Sequence, residues 1–314
     1  MQEGERKMGR TKEWLLTRFE REGPGAEKER LWLVLGGGGL KGLAHIGAWR
    51  AIQEAGIRVE GILGTSIGAL VGVALAAGMD QEELEERARS LQPRDIVRTQ
   101  RRALWVNGIR SPSVFREELL RRYISESIPV KSWAELEIPV QMNAVELGSG
   151  ATEWFGKGAR EDVAPADAVY ASAALPVFYP PAEIGGQYFV DGGTGDALAL
   201  TRARDLGATA ILGVDVGSGP TEDAERVVKG GLVAVHQRVF SIQSGTARRA
   251  MLEGWKSPPL LFVRPHLDGY RTFDFEHAAY FIEEGYRATR RALEEELTDL
   301  DAAGTGRRVG DWPE

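Results

Sequence analysis

The sequence predicts an α/β protein of three layers, with helices on both faces of a mainly parallel sheet. Three observations carry this expectation. Strand-like apolar runs and helix-like amphipathic runs alternate along most of the 314 residues, the pattern of strands joined by helical crossovers. The run Leu31 to Leu35 is apolar without alternation, as in a strand covered on both faces. Two strand–turn–helix units stand in tandem between Leu31 and Gly78, each with glycines where strand becomes helix.

Taken in order, residues 1–29 read as a charged extension, in which Trp14, Leu15 and Phe19 could share one face of a short helix. A strand over 31–35 runs into Gly36–Gly39, and a helix follows over 42–55. A second strand is expected over 60–64 and a helix from Ser66 to Ala77. That helix carries Gly68, Ala69, Gly72, Ala74 and Ala76. Because glycine is disfavoured in a helix by about 1 kcal/mol, so many small residues point to close packing on a sheet. Asp80 and Glu83 open the next helix as a capping box, and Ser111-Pro112 has the form of another helix start. Ile138–Glu146 and Ala151–Phe155 alternate like a hairpin around Gly148-Ser149-Gly150. A helix over 164–174 is followed by a short strand, Tyr188 to Val190, that enters Asp191-Gly192-Gly193. A buried strand over 208–216, helices over 223–251 and 275–297, and a strand at 260–263 complete the pattern. No internal repeat or composition boundary divides the chain, so one domain over 30–298 is expected. The polar residues 299–314 are expected to be a disordered tail.

Composition narrows the function. Hydrophobic content of 43% can fill a sizeable core, and the net charge of -7 argues against a nucleic-acid partner. The absence of cysteine excludes disulfides, cysteine-ligated zinc and a thiol nucleophile. The four histidines, His45, His236, His266 and His277, have no metal-ligand spacing, so no metal or cofactor is expected. The first thirty residues lack the apolar core of a signal peptide. The run Gly61–Met79 is broken by glycines, Thr65 and Ser66, and falls short of a spanning helix. A cytoplasmic protein is expected.

Three short motifs carry chemistry. Gly64-Thr65-Ser66-Ile67-Gly68 is a G-x-S-x-G between an apolar strand and a helix, the setting of an exposed nucleophile. On the pentapeptide alone, a serine that caps the helix serves equally well. Gly37-Gly38-Gly39-Leu40-Lys41-Gly42 matches G-x-G-x-x-G. It could be a dinucleotide turn, though Glu60 starts the second strand where such a site wants an acid at its end. It could equally be an oxyanion hole or a purely structural turn. Asp191-Gly192-Gly193 would deliver a carboxylate at the carboxyl edge of the sheet, or simply make a turn.

Together and in this order, the three motifs resemble the patatin-like phospholipase family. Ala171-Ser172-Ala173-Ala174-Leu175-Pro176, with Phe178 and Pro180-Pro181 beyond it, is a further block similar to the family. The resemblance runs from about Leu31 to Val216 and implies a patatin-like three-layer fold. It also implies a Ser–Asp dyad, with Ser66 as nucleophile and Asp191 as general base. By the same resemblance Gly37, Gly38 and Gly39 supply the oxyanion hole, supported by Lys41, Gly42, Gly64, Gly68, Gly192 and Gly193. The implied reaction is hydrolysis of a carboxylic ester in an acyl lipid or phospholipid, of phospholipase A, lysophospholipase or esterase type, through an acyl-enzyme. A nucleotide-binding oxidoreductase built on Gly37–Gly42 leaves the serine and aspartate motifs unexplained. A catalytically silent lipid-binding protein would keep the fold. No histidine stands in a catalytic context, although His236, His266 and His277 follow Asp191 in the order a triad would allow.

A basic belt spans 93–122, with eight arginines against Asp95, Glu117 and Glu118, and Trp105 at its centre. Arginine beside tryptophan suits a membrane surface, so this belt is a candidate for peripheral membrane contact. A solvated helical face with internal ion pairs is the competing reading. The oligomeric state is not legible.

Overall fold

The computed structural model describes residues 30–100, 110–217 and 223–303. The expected extension at 1–29, Trp105 with its neighbours, and residues 304–314 of the expected tail lie outside the described residues. The described residues open with β1 (Leu31–Leu35), a tight turn of 3-10 helix (Gly39–Leu43) and α1 (Ala44–Glu54). β2 (Gly61–Gly64) and α2 (Ile67–Ala76) follow, so both tandem units form as the apolar runs predict. α3 (Gln81–Ser90) starts where Asp80 caps it. The Asp80 carboxylate accepts the N–H groups of Glu82 at 2.8 Å and Glu83 at 3.3 Å, a cap worth about 1 kcal/mol.

The chain then forms α4 (Pro93–Ile96) and α5 (Glu117–Ser127). Ser111-Pro112 does not open a helix. Residues 113–116 are extended because their backbone is used on both sides. Val114 and Phe115 donate to the carbonyls of Val177 and Phe178, while Gln100 donates to Val114 and Arg116 to Arg98. The helix begins only after this strap ends, at Glu117.

β3 (Val140–Glu146) and β4 (Thr152–Gly156) form the expected antiparallel hairpin. α6 (Pro165–Ala173), β5 (Ala182–Ile184), β6 (Gln187–Asp191), α7 (Leu200–Asp205) and β7 (Ala210–Val214) come next. The expected helix at 223–251 is two helices, α8 (Ala224–Lys229) and α9 (Gly231–Glu253), because Gly231 takes a left-handed φ of 75° between them. β8 (Leu260–Val263) and α10 (Ala278–Ala303) end the described chain. α10 runs beyond 297, where no glycine or proline stands before Gly304.

Among the described residues the sheet has eight strands in the order β5-β6-β3-β2-β1-β7-β8, with β4 beside β3. β3, β2, β1, β7 and β8 are parallel; β4, β5 and β6 are antiparallel additions. Alternate residues of each central strand enter different cores. Leu31, Leu33, Leu35 and Ile62 join the larger cluster, while Val34 and Leu63 join the smaller one with Leu200, Ala203 and Trp255. Both faces are therefore covered, which is why these strands read as unbroken apolar runs.

One detail of pairing builds the site. β4 pairs with Gln141–Val145 of β3. A strand has only two edges, so β2, paired with Val140–Met142, and β6, paired with Ala144–Glu146, share the other edge end to end. Their carboxyl ends meet opposite Asn143. The sequence places Asp191 at the carboxyl edge of the sheet, and there it lies. It arrives on an antiparallel strand from the far side rather than on one of the parallel set.

Candidate active site

Ser66 stands at the turn where β2 becomes α2, with φ 56° and ψ −120°. A left-handed backbone at a residue with a side chain is disfavoured by roughly 1–3 kcal/mol and persists only where the surroundings enforce it. Here the Ser66 N–H donates to Ser172 Oγ at 2.9 Å. The preceding Thr65 is fully buried and its Oγ1 donates to Asn143 Oδ1 at 2.9 Å. The flanking glycines are steric requirements. A Cβ on Gly64 would overlap the Gly68 carbonyl, and one on Gly68 would overlap the Leu35 carbonyl. Ser66 occupies the cap position of α2, yet its hydroxyl makes no capping bond. It donates instead to Asp191 Oδ2 at 2.6 Å.

Asp191 is 2% exposed. Its Oδ1 accepts the Gly193 N–H at 2.7 Å, and its own N–H donates to the Ala174 carbonyl at 3.0 Å. Burial raises its pKa from 3.8 to about 6, against the opposing effect of the Ser66 and Gly193 hydrogen bonds. Asn143 ties the two halves together, since its Nδ2 donates to the carbonyls of Gly192 at 3.1 Å and Asp196 at 2.8 Å.

The glycine turn lies beside Ser66: a Cβ placed on Gly37 would sit 3.5 Å from Ser66 Cβ, an ordinary van der Waals contact. Its N–H groups are not equivalent. Gly36 donates to Val214, Gly37 to Ala197 at 2.9 Å and Leu40 to Thr272. Gly38 and Gly39 make no N–H bond to a described residue. Of the three glycines expected to donate, Gly37 is thus committed to the fold. Gly38 admits no side chain, because a Cβ would overlap the Val216 carbonyl. Lys41 and Gly42 are buried in the 3-10 turn.

The histidines hold other places. His45 is fully buried, and its Nε2 lies 2.8 Å from the Gly36 carbonyl. Burial lowers its pKa to about 4, so it is neutral and pins the glycine turn as an Nε2–H donor. His277 pairs with Asp274 at 2.7 Å, and the His266 N–H donates to Glu284. His236 lines the cavity at the site. Glu60 forms an ion pair with Arg58 at 2.8 Å and precedes β2, at the opposite end of that strand from Ser66. It cannot serve the glycine turn as a ribose-binding acid would.

The cavity over Ser66 has a volume of about 140 Å³. Leu70, Leu120, Ile124, Val169, Leu175 and Phe178 give it an apolar wall, and α9 faces it with Gln237, Ser241, Ser244 and Arg248. Arg248 Nε lies 2.9 Å from Asp215 Oδ2, a buried ion pair that fastens α9 to the end of β7. Sequence reasoning missed Thr65, Asn143 and Ser172 as positioning residues. Asn143 carries a signal, since it is, with Gln141, one of two amides in an almost wholly buried strand. The Ser172 signal is fainter, a hydroxyl inside an alanine-rich helix.

Comparison with known proteins agrees with this construction. A family model described as patatin-like phospholipase matches residues 33–204. An uncharacterized NTE family protein of Mycobacterium tuberculosis is 33% identical over 205 residues, which cover 64% of this chain and 54% of that protein. Lysophospholipase NTE1 of Saccharomyces cerevisiae is 28% identical over 270 residues, covering 79% of this chain and 15% of that protein. This chain therefore spans about half the length of the first relative and far less of the second. The crystal structure of VipD from Legionella pneumophila shares the fold, with a TM-score of 0.50 at 15% identity over 85% of this chain and 67% of that one. With the family model matching more than half of its residues, the chain belongs to the patatin-like phospholipase family.

Proposed function

We propose that the protein is a serine hydrolase of carboxylic esters in acyl lipids, working through a Ser66–Asp191 dyad. The observation that carries this reading is the 2.6 Å hydrogen bond from the Ser66 hydroxyl to a buried carboxylate, beside two backbone N–H groups that have no partner among the described residues. Ser66 Oγ attacks the ester carbonyl carbon while its proton passes to Asp191 Oδ2. The N–H groups of Gly38 and Gly39 receive the oxyanion. The intermediate collapses with loss of the alcohol, which takes the proton from Asp191, and leaves an acyl group on Ser66. Water then attacks that ester, giving its proton to Asp191, and the fatty acid departs as Ser66 recovers a proton. A carboxylate with an ordinary pKa is a weak base; one raised to about 6 by burial is better matched to this task near neutral pH.

The apolar wall suits an acyl chain, and the polar face of α9 suits a head group. Lysophospholipids are the first substrates to try, given the relatives named for that activity. The arginine belt enters this reading through its apolar residues Ile96 and Leu120, which line the cavity. Its contact with a lipid surface is part of the proposal. Much of its charge is answered, though: Arg94, Arg116, Arg121 and Arg122 each lie within 4.0 Å of a carboxylate. The experiment is release of fatty acid from lysophosphatidylcholine, diacyl phosphatidylcholine and a short-chain nitrophenyl ester by the wild type and Ser66→Ala. Hydrolysis of at least one substrate that vanishes in Ser66→Ala is expected. Equal rates in both proteins would overturn the reading.

A further inference from the structure

α9 has two faces of different character. The cavity face, with His236, Gln237, Phe240, Ser241, Ser244 and Arg248, looks onto the site. The other face carries Leu232, Val235, Val239 and Ile242, spaced three, four and three residues apart. At 100° per residue these four fall within an arc of roughly 80°, on the side of the helix away from the cavity residues. All four are exposed, Leu232 by 76%, and with Val228 on α8 they make five of the seven large exposed hydrophobics among the described residues. No residue on this outer face is buried. A contiguous apolar stripe in water marks an interaction surface.

Charge indicates the occupant. From Arg226 to Leu252 the chain carries five basic residues and no acidic one, in a protein of net charge -7. Arg248 is turned inward to Asp215 and Lys229 pairs with Glu225 at the surface. Arg249 falls beside the stripe on the helical projection. An apolar stripe flanked by arginine on an amphipathic helix is the pattern of a helix lying in an anionic lipid interface.

We infer that the outer face of α9 is the surface by which this protein docks on anionic lipid membranes, bringing the cavity beneath the helix to the interface. The inference rests on the lipid-hydrolase reading for its biological sense, but its geometry does not depend on Ser66. Docking buries the stripe in the headgroup boundary, while the Arg248–Asp215 pair holds the inner face in register with the site.

The test uses the full chain and two vesicle types, phosphatidylcholine alone and phosphatidylcholine mixed with phosphatidylglycerol. The wild type is expected to sediment with the mixed vesicles more than with the neutral ones, and less as salt screens the attraction. Val239→Asp with Ile242→Asp should lower partitioning by about tenfold or more, and Arg249→Glu should lower it selectively on the mixed vesicles. Both variants should hydrolyse a soluble short-chain ester at the wild-type rate, which also reports that they are folded. Because the chain has no cysteine, Ile242→Cys can carry a single environment-sensitive fluorophore, whose emission should shift to the blue when mixed vesicles are added. Unchanged partitioning of the double variant, or no spectral shift at position 242, overturns the inference. So does gel filtration showing a dimer that the double variant splits, with no vesicle binding, because the occupant is then a second copy. Loss of ester hydrolysis in the wild type would overturn the catalytic reading and leave the docking result standing.

Discussion

Replacing Asp191 by Asn should slow turnover by orders of magnitude and make the protein more stable. The wild-type carboxyl has a folded pKa of about 6 against an ordinary 3.8. Two units of difference correspond to about 3 kcal/mol of stability. The sign follows from proton uptake. Above about pH 6 the group is ionised in both folded and unfolded protein, and the full cost of burying its charge is present. Between about 6 and 3.8 the folded state binds a proton that the unfolded state lacks, so wild-type stability gains from this group as the pH falls. Below 3.8 the cost is gone. Asparagine is neutral at every pH. Its Oδ1 can still accept the Gly193 N–H, and its amide can still face Ser66. Asp191→Asn should therefore exceed the wild type by up to about 3 kcal/mol at pH 8, a margin that closes toward pH 4. Urea unfolding across that range measures it. Ester hydrolysis should fall by about 10²- to 10⁴-fold, the usual worth of a general base. In the wild type, kcat/KM should rise with pH through about 6. If Asp191→Asn is less stable than the wild type at pH 8, the carboxylate is held favourably as an ion, and the argument for a base tuned by burial is wrong.

Three further outcomes are expected. Gly38→Ala forces a methyl onto the Val216 carbonyl and should lower both the melting temperature and kcat; Gly37→Ala has room, its nearest neighbour being Thr65 Cγ2 at 3.4 Å, and should change stability far less. Ser172→Ala leaves the Ser66 N–H without its acceptor, with a loss of about 1–3 kcal/mol in urea unfolding and a lower kcat at similar KM. Asp215→Ala strands the buried Arg248 guanidinium and should destabilise by roughly 3–5 kcal/mol in the same measurement.

What was legible in the sequence follows the range of the interactions. β1 and β8 are readable to the residue because an apolar run closed by arginine at one end and by glycine or proline at the other marks its own ends. The serine elbow was readable because Gly64 and Gly68 are local requirements of a tight strand-to-helix passage. The mistakes arose where a distant partner decides. Ser111-Pro112 has the local form of a helix start, yet the segment after it is held extended by Val177 and Phe178. Gly37 looks like a free donor until Ala197, 160 residues away, claims its N–H. Ala182–Ile184 is a miss of another kind: it is too short to show a period, and its partner β6 follows at once across the local Gly185-Gly186 turn. The meeting of Ser66 with Asp191 depends on two strands sharing one edge of β3, which no spacing in the sequence encodes. The arginine belt shows the converse. Its charge was plain in the sequence, but Asp167, which answers Arg121 at 2.9 Å, comes from a different helix.

The central claim is that Ser66 is the nucleophile and Asp191, without a histidine, its base. Fluorophosphonate labelling followed by peptide mass spectrometry tests it most directly. The account predicts one adduct per chain on the peptide containing Ser66 and none in Ser66→Ala. It further predicts labelling slowed by orders of magnitude in Asp191→Asn but near the wild-type rate in His236→Ala, His45→Ala being excluded as a control because that ring holds the glycine turn. An adduct on another residue, or His236→Ala labelling as slowly as Asp191→Asn, would contradict it.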